Sequence, residues 1–431
     1  MSQFDRFTLE PHMRGVPYDV EAMSSDDMRK FNLSPTGGRM PLPLLTIDPS
    51  ILDDSIETMM RVARRHEVLL APHFKTSMSP ALARRFARAG IWAVSVADLR
   101  QALVFLRAGF RRVVIANEIG GGKAARRLAE LCRSYRDAEL YLFVDSIDGL
   151  DALTDVWRSG SDLPTLRILL EVGCGRSGVR SDNEFEALLG AFTDGAPGIT
   201  LGGIAAYEGT ALRADFAETQ AILGDLLARV SHALTALRRR VGPNAPLLLS
   251  MGSSSLFDLV ITQASDLLKH DGNTRLMLRS GSCYFGDHGE TQARLDRLVA
   301  RGLLGPELSA RIGQSFRPAM RLWAETLSCP SPGLAVCGLG MRDAAHDQGN
   351  PVPLRSWRGG QPHLTLEGAA KTSKLNDQHS FVTFPEGLDV RVGDIIEFGI
   401  RHPCTTIDKH DVIYAVGDRG VVLDAFKTFF G

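Results

Sequence analysis

Between about residues 44 and 282 the chain alternates short runs of Val, Ile and Leu with longer stretches whose apolar residues recur every three or four positions. The runs cover 68–73, 91–96, 112–116, 140–144, 166–172, 199–206, 246–250 and 275–278. Between them the spacing predicts helices over 79–89, 98–108, 122–135, 182–192 and 215–240. Near-continuous apolar strands separated by helices are buried on both faces, which is the signature of a parallel sheet. Eight such units over roughly 240 residues match a (β/α)8 barrel in number and length. An open doubly wound sheet competes with the barrel, but it binds ligands at a switch point, and no GxGxxG follows the first run.

The rhythm changes after about residue 320. Short alternating strands are predicted over 334–337, 363–366, 381–384, 394–400, 412–416 and 421–425, punctuated by Gly and Pro, with Asp418-Arg-Gly420 as a hairpin turn. The expected class is therefore α/β, a TIM-type barrel followed by an all-β domain. The expected divisions are an extension over 1–43 packed on the β domain, a barrel over 44–285, a helical connector over 286–319 and the β domain over 320–431.

Composition narrows the function. With 431 residues, 44% of them hydrophobic, the chain can bury a core for two domains. A net charge of −1 with mixed signs gives no reason to expect nucleic acid or a membrane surface as partner. The start, Met1-Ser-Gln-Phe-Asp-Arg-Phe, carries charges where a signal peptide needs an apolar run, and no stretch approaches transmembrane length. The expected location is cytoplasmic, where the six scattered cysteines are mostly reduced.

In a barrel the functional side chains stand at the C-terminal ends of the strands. The first run ends in Pro72-His73-Phe74-Lys75-Thr76. A lysine at the mouth of a buried strand costs free energy unless it is paired, solvated or neutral, and a Schiff base with an aldehyde cofactor is one way to neutralise it. The third, fourth and sixth runs end at Asn117, Asp145 and Tyr207-Glu208-Gly209. The seventh and eighth lead into Gly252-Ser253-Ser254-Ser255 and Gly281-Ser282, where Gly permits close backbone approach and N–H groups complement an anion such as phosphate. An ordinary helix cap by Ser254 or Ser255 explains the seventh loop equally simply. Arg176, in Gly173-Cys-Gly-Arg176-Ser-Gly178 after the fifth run, is either a fixed cation for a pyridoxal ring oxygen or a surface arginine in a turn.

A second cluster, Arg401-His402-Pro403-Cys404 through Asp411, follows an apolar strand of the β domain. His402 and Cys404 together can bind one zinc with positions left open, a thiolate favouring zinc over magnesium, with His410 or Asp411 behind them. Two ligands make a poor zinc site, and spacing alone favours a structural cysteine among surface histidines.

Taken together, Pro72-His73-Phe74-Lys75-Thr76, Gly175-Arg176-Ser-Gly178, Gly252-Ser253-Ser254 and His402-Pro-Cys404-Thr-Thr resemble the D-serine dehydratase / D-threonine aldolase family over roughly residues 40–431. These are pyridoxal-phosphate enzymes of the alanine-racemase fold. The resemblance implies that Lys75, beside His73, is catalytic and carries pyridoxal phosphate as a Schiff base. It places Arg176 and Tyr207 at the ring, Gly252, Ser253, Ser254, Gly281 and Ser282 near the phosphate, and a metal on His402 and Cys404. Dehydratases of the family carry His and Cys and use zinc; aldolases generally carry His and Asp and a harder ion. Cys404 points to the dehydratase branch. Ser77 departs from the family pattern, since many members have a histidine there.

The reaction so implied is zinc-assisted β-elimination of a β-hydroxy-D-amino acid, D-serine or D-threonine, to an α-keto acid and ammonia. Its rivals are retro-aldol cleavage to glycine and an aldehyde and, in another class, a non-catalytic pyridoxal-phosphate carrier, against which the β domain argues. The fold type also implies a homodimer.

Overall fold

The computed structural model describes residue 4 and residues 6–160, 162–192, 197–269 and 271–430. Eight parallel strands form one sheet, in chain order Leu69–Leu70, Val94–Val96, Arg112–Ile115, Glu139–Val144, Leu166–Val172, Ile199–Ala206, Leu247–Met251 and Thr274–Leu278. Each pairs with its sequence neighbour from the second strand onward, and the eighth pairs with the first, Met277 beside Leu69. A parallel bridge between His73 and Ser95 joins the first strand to the second and completes the ring. The barrel is therefore present, and its first strand is shorter than the apolar run predicted.

Period-2 alternation fills the barrel. Leu69, Ala71, Val114, Tyr141, Phe143, Leu169, Ala205, Leu248 and Met277 form a cluster of their own, while their neighbours along the strands, such as Val113, Ile115 and Leu142, join the helices' core. The helices are set by local signals. Ser79 accepts from the amide of Leu82 at the start of Pro80–Ala89, and Asp98 from that of Gln101 ahead of Leu99–Arg107. Ser181 and Glu184 form a reciprocal capping box at Asp182–Ala191.

The C-terminal domain is an antiparallel sheet built around Met320–Ser331, a twelve-residue strand. It pairs with Leu334–Cys337 on one part of its length and with Ile395–Gly399 on another. Val352–Arg358 and Lys371–Leu375 are further strands absent from the sequence-based set. The expected domain boundary at residue 44 also shifts. Leu44–Ile47 lies in the β sheet, antiparallel to Met320–Trp323 and parallel to Tyr414–Ala415. Its four residues are buried between sheet neighbours, so an apolar run reads alike in either domain. Ahead of it, Leu9, Val16, Met23, Met28, Leu33 and Met40 pack on Trp323, Val412 and Tyr414. Two helices, Glu290–Arg301 and Pro306–Ser315, connect the domains. Among the described residues no helix is long and apolar enough to cross a membrane.

Candidate active site

One cavity of about 220 Å³ opens at the C-terminal end of the barrel, and both domains line it. The barrel contributes His73, Lys75, Tyr207, Arg279 and the two serine loops; the β domain contributes Gln348, His402 and Cys404. The sequence-predicted residues thus converge, with Arg176 one layer removed: its guanidinium lies 5.0 Å above the Tyr207 ring, in a crevice beside the cavity.

Lys75 sits just past the bridge that closes the barrel, with its amide 3.4 Å from His73 Nδ1. Its side chain reaches solvent through the cavity, yet protein walls surround it. That enclosure, with Arg176 and Arg279 nearby, lowers its pKa, opposed by the electrostatic effect of Cys404. His73 is driven well below the ordinary imidazole value by burial and then by Lys75, Arg279 and Arg176, so it is neutral at pH 7. Gly281 fits because a Cβ there would stand 2.7 Å from the His73 carbonyl oxygen. The eighth loop is packed against the lysine loop that closely.

The seventh loop departs from the expected cradle. Neither Ser254 nor Ser255 caps the following helix, Phe257–Leu268, whose cap position is Leu256. The amides of Gly252 and Ser253 donate to Glu208, at 3.2 and 2.5 Å, and Glu208 is fully buried. Those two N–H groups are therefore occupied. The serine side chains offer an anion hydroxyl groups. Ser254 Oγ accepts from the amides of Gly281 and Cys283 and from Ser282 Oγ, each at 3.2 Å, which leaves its own proton to donate. Ser253 Oγ is buried with no partner. An orphaned hydroxyl beside a saturated acceptor fits a phosphate group.

Arg279, which the sequence reading passed over, is buried at the end of the eighth strand. It donates to the Ala206 carbonyl at 2.7 Å and lies 5.0 Å over the Phe143 ring, while its Nε has no partner. Its signal was the same as that of Lys75: a cation directly after a buried apolar strand.

His402 precedes the short helix Pro403–Ile407, which carries Cys404. Cys404 Sγ is 3.2 Å from Thr76 Oγ1, so the pair stands one residue from Lys75 across the domain boundary. Hydrogen bonding with Cys404 and then with Asp347, against the effect of burial, raises His402 to about 9. Asp347 Oδ2 lies 2.6 Å from His402 Nδ1, and Thr405 Oγ1 donates to Asp347 Oδ1 at 2.9 Å. The partner behind His402 is therefore Asp347, not His410 or Asp411. His410 is buried and hydrogen-bonded to the Asp343 carbonyl at 2.8 Å, with burial lowering it to about 3; Asp411 is exposed. Asp347 lies 55 residues from His402, and no local pattern marks it.

Among the described residues no group of three or more His, Cys, Asp or Glu side chains is placed to hold a metal. An adjacent imidazole and thiol facing a cavity fit an open site completed by water or substrate, and not a closed structural one.

Comparison with known proteins matches both domains of the chain. Residues 47–287 match the family model described as "Alanine racemase, N-terminal domain", and residues 319–416 match the "Putative serine dehydratase domain". A D-threonine aldolase from Arthrobacter sp. is 25% identical over 416 residues, which cover 94% of this chain and 98% of that protein. The crystal structure of D-threonine aldolase from Filomicrobium marinum superposes with a TM-score of 0.70 at 24% identity, covering 90% of this chain and 95% of that one. D-threo-3-hydroxyaspartate dehydratase from Delftia sp. HT23 does so with a TM-score of 0.69 at 20% identity, covering 92% and 99%.

Proposed function

We infer the function from one premise: the chain belongs to the alanine racemase N-terminal domain family, whose model covers more than half of it. It is a pyridoxal-phosphate-dependent enzyme, and the reaction we propose is zinc-assisted β-elimination of a β-hydroxy-D-amino acid to an α-keto acid and ammonia. The observation that carries this reading is the 3.2 Å contact between Thr76 and Cys404, which sets the His402–Cys404 pair against the Lys75 loop.

In the proposal Lys75 holds the cofactor's aldehyde carbon, the hydroxyls of Ser253 and Ser254 hold its phosphate, with Ser282 hydrogen-bonded behind Ser254 and Gly252 and Gly281 letting the backbone come close, and Tyr207, braced by Arg176, and Arg279 border its ring. His402 and Cys404 hold the zinc. When bound, pyridoxal phosphate supplies a sink for the electrons left by loss of the α-proton, and zinc supplies a Lewis acid for the β-hydroxyl. Everything else is done by the chain. Once the incoming amino group has displaced it from the aldehyde, the Lys75 amine, lowered in pKa by its walls, would take the α-proton. Neutral His73, beside it, keeps a second positive charge away from that amine. Asp347 fixes the His402 ring through Nδ1 and leaves Nε2 for the metal. The β domain covers the barrel mouth and limits access of water.

A zinc ion, a homodimer and a cytoplasmic site of action belong to the same proposal. The six cysteines are all free thiols, which suits a reducing compartment. Retro-aldol cleavage is the second reading, and the end-to-end match to an aldolase favours it. The test of the cofactor assignment is borohydride reduction of the loaded protein followed by peptide mass spectrometry. The pyridoxyl group is expected on Lys75, and Lys75→Ala should lose both the visible cofactor band and turnover. A label on another lysine, or an active Lys75→Ala protein, overturns it.

A further inference from the structure

The helix Glu290–Arg301 has no part in the reading above, yet Thr291 and Arg294 form a wall of the reaction cavity. Ser253 and Ser254, whose hydroxyls are placed to donate, line the same cavity. Neutral hydroxyl and amide donors leave a phosphate dianion without a countercharge, and the buried Glu208 behind that loop makes the deficit worse. Among the lysines and arginines of the cavity wall, Lys75 is committed to the aldehyde and Arg279 donates to the Ala206 carbonyl. Arg294 is left, and His402 is assigned to the metal. Its ion pair with Glu290 spans 3.3 Å between partly exposed groups, a loosely held contact from which the guanidinium can swing.

Arg294 also lines a second cavity of about 430 Å³, which shares Leu212 and Ser255 with the first. Arg213 and Arg297 line that chamber, and Arg297 has no carboxylate partner among the described residues. Arg301 on the same wall is already held by Asp258 at 2.7 Å. The floor is apolar, with Phe216 and Leu256. We propose that Arg294 is the countercation of the cofactor's phosphate and that the arginine-lined chamber is the route by which that dianion arrives. The inference rests on the pyridoxal-phosphate reading and assigns the connecting helix a binding role.

The experiment titrates cofactor-free protein with pyridoxal phosphate and, separately, with pyridoxal, which lacks the phosphate. Arg294→Ala and Arg294→Gln should weaken pyridoxal phosphate about tenfold or more and leave pyridoxal unchanged, with Arg294→Lys recovering most of the loss. Arg297→Ala should slow association of pyridoxal phosphate at low salt and leave its dissociation rate unchanged. Unchanged affinity for pyridoxal phosphate overturns the proposal, as does equal weakening of both ligands. If the affinity holds while KM for the D-amino acid rises in the saturated enzyme, Arg294 serves the substrate carboxylate instead. A wild-type protein that binds pyridoxal but gains nothing from the phosphate overturns this inference and spares the cofactor reading; one that binds neither overturns both.

Discussion

Lys75 is solvated through the cavity and enclosed by walls that lower its pKa, and both properties follow from its place two residues past a barrel bridge. That placement was legible because a lysine directly after a buried apolar run is costly. The same signal marked Arg279 and was passed over. Glu208 stood out at a strand end but its partners 44 residues on did not, and Asp347, 55 residues from His402, left no signal, because such long-range contacts have no local period. Asp347 gives a direct prediction: Asp347→Asn should weaken zinc binding by about 10- to 100-fold, measured by competition with a chelator. Glu118 gives another. Burial, a hydrogen bond with Glu171 and the charges of Glu171 and Asp145 push it up to about 9. A carboxyl raised in the folded state keeps its proton where the unfolded chain has lost it, so folding stability falls as pH rises from about 4.5 toward 9. Glu118→Gln should therefore raise the melting temperature more at pH 8 than at pH 5. An equal effect at both would show that Glu118 is ionised in the fold.

The barrel elements were readable because parallel strands buried on both faces appear as continuous apolar runs, and several helices open on a cap such as Ser79, Asp98 or Ser181. The β domain was harder. Met320–Ser331 begins buried and ends exposed, so neither a period of 2 nor a continuous run marks its whole length. Leu44–Ile47 looks like a barrel strand by composition and differs only in its partners. Two tests belong at this scale. Leu45 is fully buried opposite Leu322, so Leu45→Ala should cost about 2–5 kcal/mol in denaturant unfolding. Gly281→Ala should force the His73 carbonyl to move and weaken cofactor binding, whereas Gly272→Ala, with open space around its Cβ, should not.

The site exists only in the whole molecule. One hydrophobic core runs from barrel residues such as Leu278 through Met320 and Leu322 to Phe398 and Ile407 of the β domain. The C-terminal segment returns to the lysine loop, where the Phe429 amide donates to the Met78 carbonyl at 2.9 Å. Cofactor or zinc bound at this junction should stabilise both domains together, by about 2.7 kcal/mol at a hundredfold excess over Kd, seen as an upward shift of one melting transition. Lys75 accounts for loss of the α-proton, which elimination shares with other pyridoxal reactions; the claim of elimination itself rests on His402 and Cys404. The most direct measurement is product analysis after incubating the zinc-loaded holoenzyme with D-threonine. 2-Oxobutyrate and ammonia are expected in equal amounts, lost on chelation of the metal. Glycine with acetaldehyde, or unchanged turnover after the metal is removed, would contradict it.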